Sequence, residues 1–220
     1  MLAYEACESL GGTAMADAPF VWDELGKYKA EGTFLDGYPD DERTFFAPRD
    51  DVHGLLVALL GSAQHSIVVN MFGYDDDELN NIIQGKLTDD KIFVQMSLDR
   101  SQASGVHEKQ ILAQWNNEAF GNSIAIGTSS VHNAISHLKI VIVDGVYTVK
   151  GSTNWSLSGE QQQDNELSLN RNAVIAAETR AILDLNHDFM LKQMVGTKLG
   201  TAKLMAPATA AASPPLPPQP

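Results

Sequence analysis

Cysteine is almost missing from this chain, which has a single one, Cys7, in 220 residues. No intramolecular disulfide framework is therefore available, and thiol usage says nothing about compartment. Long apolar runs are missing too, and none approaches the roughly 20 residues needed to cross a bilayer. The N-terminus, MLAYEACESLGG, lacks a basic stretch ahead of an apolar one, which argues against a secretory signal and makes the cytoplasm the expected compartment. Positive charge is scarce: 15 Lys and Arg face 28 Asp and Glu, for a formal net charge of −13. An acidic body disfavours broad contact with nucleic acid or anionic membranes, so either partner would need a local basic patch. Lys150 and Arg171, then Arg100 and Lys91, are the candidates for one.

What is present fits a globular protein with a real core: 44% of residues are apolar and 20% charged. The length suits one domain of ordinary size with additions at the ends. Residues 1–45 carry Gly11-Gly12, Gly32, Gly37 and Pro39 between short apolar pieces such as Phe20-Val21-Trp22. They read as an extended or partly helical lead-in with no assigned chemistry. From Ala206 the composition collapses to APATAAASPPLPPQP, so residues 196–220 are expected to be a disordered tail. The folded domain is the stretch between, residues 46–195.

Within it, Asp50 or Asp51 is placed to cap a helix running to Ala63, with Val52, Leu55, Leu56, Leu59 and Leu60 on one stripe. SIVVNMF, ending at Phe72, is rich in β-branched residues and reads as a buried strand. Asp75-Asp76-Asp77-Glu78 then precedes LNNIIQGKL. An acidic run can ligate a metal, but its position ahead of a helix favours capping. KIFVQMSL, from Lys91 to Leu98, is the next strand, followed by a polar loop. Val106 to Phe120 has helical spacing, with Ile111, Leu112, Trp115 and Ala119 inward, and Ser123 to Ile126 is a short strand. Asp144-Gly145 is a two-residue hairpin turn between IVIV and VYTVK. Asn165 to Leu169 is a further strand. Ala173 to Val195 is a long helix with Ile175, Ile182, Leu185 and Phe189 at helical spacing, and His187 at the surface or core edge. Strands alternating with helices indicate an α/β fold, with the hairpin making its sheet mixed.

The chemistry is concentrated between His137 and Glu166. His137, Lys139 and Asp144 stand in the spacing H-x-K-x-x-x-x-D, and Gly151-Ser152-Thr153-Asn154 follows. Alternation along a strand lets His137 and Lys139 project to one side. A second H-x-K, His107-Glu108-Lys109, is followed by Gln114 where the first has its aspartate, and no G-x-x-N comes after it. His132 is expected to be a loop residue rather than a substrate contact.

The full pattern, H-x-K-x4-D with a trailing G-[GS]-x-N, resembles the catalytic motif of the phospholipase D superfamily, over about Phe45 to Met194. That resemblance implies an α/β/α sandwich, phosphodiester cleavage through a covalent phosphohistidine, and no resident metal or other cofactor. His137 would attack phosphorus. Lys139 and the Asn154 amide would hold the non-bridging oxygens, and Ser152 could add a hydroxyl donor. Glu166 would hydrogen-bond the other ring nitrogen of His137. Two roles stay open for Asp144: substrate contact, or shaping the turn.

Length and order are closest to small bacterial single-motif members, which include a phosphodiester-cleaving endonuclease. Nucleic acid is therefore the favoured substrate. A phospholipase acting on phosphatidyl lipids is the alternative, and a non-catalytic interaction protein keeping the fold comes third. The reaction needs two histidines, one to attack and one to protonate the leaving oxygen. A single motif supplies one, so a homodimer with the active site on its two-fold axis is expected. His132 or His187 serving as the acid within a monomer is the alternative.

Overall fold

Alternating and helical apolar patterns sort this chain into three layers in a computed structural model, which describes residues 20–102, 123–129 and 134–194. The described strands are β1 (Glu42–Ala47), β2 (Ser66–Met71), β3 (Phe93–Asp99), β4 (Ile124–Gly127), β5 (Lys139–Val143), β6 (Tyr147–Gly151) and β7 (Asn165–Arg171). They form one sheet in the order β1-β7-β6-β5-β2-β3-β4. β2, β3 and β4 are parallel, whereas β5 pairs antiparallel with β2 and leads the antiparallel half through β6, β7 and β1. The mixed sheet and the α/β class match the reading of the sequence.

The helices are α1 (Val52–Gly61), α2 (Asp77–Leu87), α3 (Leu157–Gln161) and α4 (Ala173–Gln193). The apolar stripe of α1 and Leu79 and Ile83 of α2 share a core with Val69, Met71, Val141 and Leu169. On the opposite sheet face, Ala176 and Leu183 of α4 pack with Val68 and Ile142. Asp51 caps α1 by accepting from the Gly54 N–H at 2.9 Å, and Asp76 caps α2 by accepting from Leu79 N–H at 2.8 Å. The acidic run before α2 thus does the capping expected of it. The expected helix over Val106 to Phe120, the His107 pair, His132 and the tail lie outside the described residues.

One expectation is corrected. The buried stripe of α4 is Ala176, Leu183, His187 and Met190, while Ile182 and Leu185 are exposed. Choosing the large aliphatic residues put the stripe on the wrong face. The sheet accepts a small alanine there and satisfies His187, whose Nδ1 lies 3.0 Å from Ser97 Oγ. The lead-in does not stop where the domain begins. Residues Trp22–Tyr28 form a 3₁₀ helix that buries Trp22 and Leu25 in the main core, and β1 pairs with β7 along its whole length.

Asp50 locks that segment to the domain. Its buried carboxylate accepts from Lys29 Nζ at 2.6 Å, Ala30 N–H at 2.9 Å and Phe46 N–H at 2.8 Å. Removing it takes the carboxylate from a half-buried ammonium, which keeps only Thr44 O, and leaves two backbone donors without acceptors. Asp50→Ala should lower unfolding free energy by about 3 kcal/mol. Urea denaturation checks this, and a loss below about 1 kcal/mol would mean water replaces the carboxylate.

Candidate active site

β2 and β3 both end at one edge of the sheet, and β5 starts there. This edge lies at the boundary between the parallel and antiparallel halves, outside the carboxyl ends of strands, where open α/β sheets commonly bind ligands. Lys139 opens β5 opposite Met71, and His137 precedes it by two residues. The His137 ring lies against Phe72, with centroids 4.6 Å apart and planes at 59°. Lys139 Nζ stands over the same phenyl ring, 4.6 Å from its centroid, and donates to the His137 carbonyl at 3.0 Å. Phe72 therefore gathers the two residues from its own strand end. Lys139 is buried whereas His137 is exposed. Burial, the larger influence, lowers the Lys139 pKa below the ordinary lysine value, and the Asp99 carboxylate opposes the shift.

Asn154 joins them through the next residue along. Its Oδ1 accepts from Gly73 N–H at 3.2 Å, and a Cβ at Gly73 would stand 2.9 Å from Asn154 Cγ, so only glycine permits the approach. This bond leaves the amide NH₂ of Asn154 as a donor. The Gly73–Asp75 segment is held to the Asn154–Ser156 segment by Trp155 N–H to Gly73 O at 3.0 Å and Asp75 N–H to Trp155 O at 2.6 Å. Gly151 has a parallel constraint, because a Cβ there would lie 2.1 Å from Glu166 O. The first glycine of G-S-T-N is thus fixed by β7.

The loop carrying His137 has its own anchors. Asp99, buried at the end of β3, accepts from Ser136 N–H at 2.5 Å, and Ser136 Oγ donates to Asn70 Oδ1 at 3.1 Å. Sequence reasoning placed Phe72 only at a strand end and Asp99 only at the start of a loop. A polar residue where a buried strand stops is the one signal that could have singled out Asp99.

The remaining expected site residues are arranged differently. Asp144 sits at the far end of β5. Its carboxylate accepts from the backbone N–H groups of Gln64, His65 and Ser66 at 2.8–3.2 Å, and its own φ is 52° beside Gly145 at 66°. Of the two roles left open, the structure gives it the turn. Ser152 Oγ accepts from Glu166 N–H at 3.0 Å and donates to Asn165 Oδ1 at 2.8 Å, so its hydroxyl is already engaged with β7. Glu166 lines the same cleft as Lys139, Thr153 and Trp155. Its carboxylate accepts from Ser168 Oγ rather than from His137. Alternation explains this: Leu167 and Leu169 share the core face with Val141, which aims Glu166 to the other side. Among the suggested cations, Lys150 lines the cleft and Arg100 follows β3 at the site edge, while Arg171 and Lys91 belong to the opposite edge.

Residues 56–187 match the family model described as cardiolipin synthase, PLD-like domain, which is more than half of the chain. The chain belongs to the phospholipase D superfamily. Solved structures agree on the fold. A phospholipase D family member, Nuc from Salmonella typhimurium, aligns with a TM-score of 0.56 at 19% identity, covering 67% of this chain and 93% of that one. NucT from Helicobacter pylori aligns at 0.54 and 15% identity, covering 67% and 95%. Phosphatidylserine synthase from Haemophilus influenzae aligns at 0.52 and 13% identity, covering 69% of this chain but only 39% of that one. No curated protein matches the chain by sequence. No helix among the described residues is long and apolar enough to cross a membrane.

The geometry around Asp144 separates a structural aspartate from a catalytic one. Asp144→Ala removes acceptors for three N–H groups and puts a β-carbon residue other than Asn or Asp at positive φ. It should cost about 2–4 kcal/mol of stability, with Asp144→Asn recovering most of it. Calorimetric melting measures the loss, and a variant that melts normally would return Asp144 to the list of substrate contacts.

Proposed function

We propose that the chain is a phosphodiesterase that works through a phosphohistidine, without a metal at the reacting phosphorus, and takes nucleic acid as its substrate. The convergence of His137, Lys139 and Asn154 on Phe72-Gly73 carries this reading. It gathers a nucleophile, an ammonium and an amide donor at one sheet edge. A His137 ring nitrogen attacks phosphorus, forming the N–P bond as the P–O bond to the leaving group breaks. Lys139 and the Asn154 NH₂ hold the non-bridging oxygens as charge builds on them. Water then forms a new P–O bond, and the N–P bond breaks.

A second imidazole must give its proton to the leaving oxygen and later take one from water. His137 is exposed, and His187 of α4 is buried against the sheet. A second copy of the chain is the simplest source, its own His137 meeting the first across a two-fold axis. The fold shared with Nuc and NucT extends over nearly their full lengths. A phosphatidyl substrate is the second reading, favoured by the matching family's description and by the fold shared with a phosphatidylserine synthase.

A panel of single-stranded DNA, duplex DNA, RNA, phosphatidylcholine vesicles and a bis-aryl phosphodiester decides between them. Nucleic-acid cleavage should fall steeply with salt, because phosphate contacts release counterions. Turnover of vesicles with oligonucleotides left intact would establish the lipid reading instead. His137→Asn should abolish every such activity while leaving the fold intact, and turnover quenched in alkaline denaturant should trap one phosphohistidine per two chains. A monomer by light scattering that is fully active at nanomolar concentration would refute the shared site.

The lowered pKa of Lys139 sets an alkaline limit. Its charged form is the working one, and it loses its proton earlier than an ordinary lysine would. The rate should therefore fall with a midpoint below pH 10.5, and Lys139→Arg should move that limb upward. An initial-rate profile that stays flat past pH 11 would remove Lys139 from the rate-determining step.

A further inference from the structure

A second cluster of chemistry-bearing residues lies behind the Asn154 segment and takes no part in the proposed reaction. His53 comes from α1, Asp76 and Glu78 from the start of α2, and Glu160 from α3. His53 Nδ1 is 2.7 Å from Glu160 Oε2 and 3.5 Å from Asp76 Oδ2, and its Nε2 is 3.0 Å from Glu78 Oε2. One ligand atom from each of His53, Asp76 and Glu160 lies within 4.8 Å of the others. The Glu160 side chain is fully buried, and its second oxygen, Oε1, has no hydrogen-bond partner. A buried carboxylate oxygen without a partner is costly, and hydrogen bonds inside the cluster do not relieve it.

We propose that His53, Asp76 and Glu160 bind a divalent transition-metal ion, with Zn²⁺ the best fit. This rests on the cluster alone and does not depend on the phosphodiesterase reading. An imidazole with two carboxylates is a donor set that Zn²⁺ accepts, leaving a fourth position for water. Both ring nitrogens face carboxylates, so the ion would take the place of a proton between Nδ1 and Glu160 Oε2. With Nδ1 turned to the ion, Nε2–H donates to Glu78, the carboxylate–histidine arrangement that commonly orients a ligating imidazole. Asp76 divides its oxygens in the same way, Oδ1 accepting from Leu79 N–H while Oδ2 faces His53.

Charge points the same way. Three carboxylates surround one imidazole, and a single proton on His53 would leave the group at −2. A dication with neutral imidazole brings it to −1 and supplies a partner for Glu160 Oε1. The ion's role is structural: it ties α1, α2 and α3 together. Asp76 stands three residues beyond Gly73 and Glu160 six beyond Asn154, so the staple closes the far end of the paired segments that position the Asn154 amide.

The test is metal content and melting, read without any activity assay. Protein purified without a polyhistidine tag and dialysed against chelator is titrated with Zn²⁺, then gel-filtered and assayed for metal. Wild type should retain one Zn²⁺ per chain. Its Tm should rise by roughly 5–10 °C at about 100 times the Kd. His53→Gln and Glu160→Gln should each fold, retain less than a tenth of that zinc, and show no such rise. Mn²⁺ in place of Zn²⁺ with the same stoichiometry would support the site and correct only the ion. Unchanged melting of wild type with tens of micromolar Zn²⁺, and no metal retained, would overturn the proposal. So would equal zinc retention by both variants. Turnover that survives chelation below the apo melting temperature would keep the ion out of the chemistry.

Discussion

The register of β5 against β2 is the constraint on which the rest depends. A slip of one residue would turn every β5 side chain to the other face. Lys139 would leave Phe72, and Val141 and Val143 would leave the main core for the side of α4. Asp144 prevents this from the opposite end of the strand. Its carboxylate receives the N–H groups of Gln64, His65 and Ser66 just as β2 begins, and Asp144 N–H returns a bond to Ser66 O at 2.9 Å. The aspartate of the H-x-K-x4-D pattern thus serves the histidine and lysine from the far end of β5. It fixes the level at which they emerge. Fixed spacing in the motif then has a mechanical meaning: the count from Lys139 to Asp144 is the length of β5.

The other half of the site depends on a shorter pairing. Gly73-Tyr74-Asp75 and Asn154-Trp155-Ser156 run as a parallel bridge, with Tyr74 and Trp155 both buried and their rings 5.8 Å apart. Gly73 presents its N–H to Asn154 because no side chain intervenes. Ser156, one residue past Trp155, caps α3 by accepting from Gly159 N–H at 3.1 Å, and α3 delivers Glu160 to His53. One continuous path therefore runs from Phe72 through the bridge to the buried carboxylate. Its middle steps are backbone hydrogen bonds, and its last are the Ser156 cap and the Glu160–His53 contact.

Much of this was legible in the sequence. Period-two alternation and β-branched content exposed β2, β3, β5 and β7, and Asp144-Gly145 announced its hairpin because both residues accept positive φ. His137, Lys139 and Asn154 were found by motif, and the structure brings them to one edge. What escaped has physical reasons. β1, ERTFFA, lies at the sheet edge and alternates weakly, and the glycine-broken stretch before it hides how Trp22 and Leu25 reach the core. α4 misled because the residues that fit against the sheet, Ala176 and His187, are small or polar. The engagement of Ser152 with β7, and of Glu166 with Ser168, depends on strand pairing that no local pattern encodes. The same holds for His53 and Glu160, which are more than a hundred positions apart and meet only in the fold.

An acidic chain that is to hold a phosphodiester must keep its carboxylates from the phosphate, and the sheet provides part of that separation. Lys139, Lys150 and Arg100 lie at the carboxyl edge, while Asp144 is drawn to the other end of β5 and Glu166 turns to Ser168. The exceptions are Asp99, which is engaged by Ser136 N–H beneath the His137 loop, and the group around His53, connected to the site by the short Tyr74–Trp155 bridge. Uncompensated, the shielded carboxylates of Asp76 and Glu160, where charge is poorly screened, would repel an approaching phosphate, with Glu78 at the exposed rim. A cation among them, whether proton or metal, is therefore an electrostatic requirement of the neighbouring site as well as of the local fold. A dication meets it more fully than an imidazolium, because it also offers a partner to Glu160 Oε1, which accepts no hydrogen bond from the described residues.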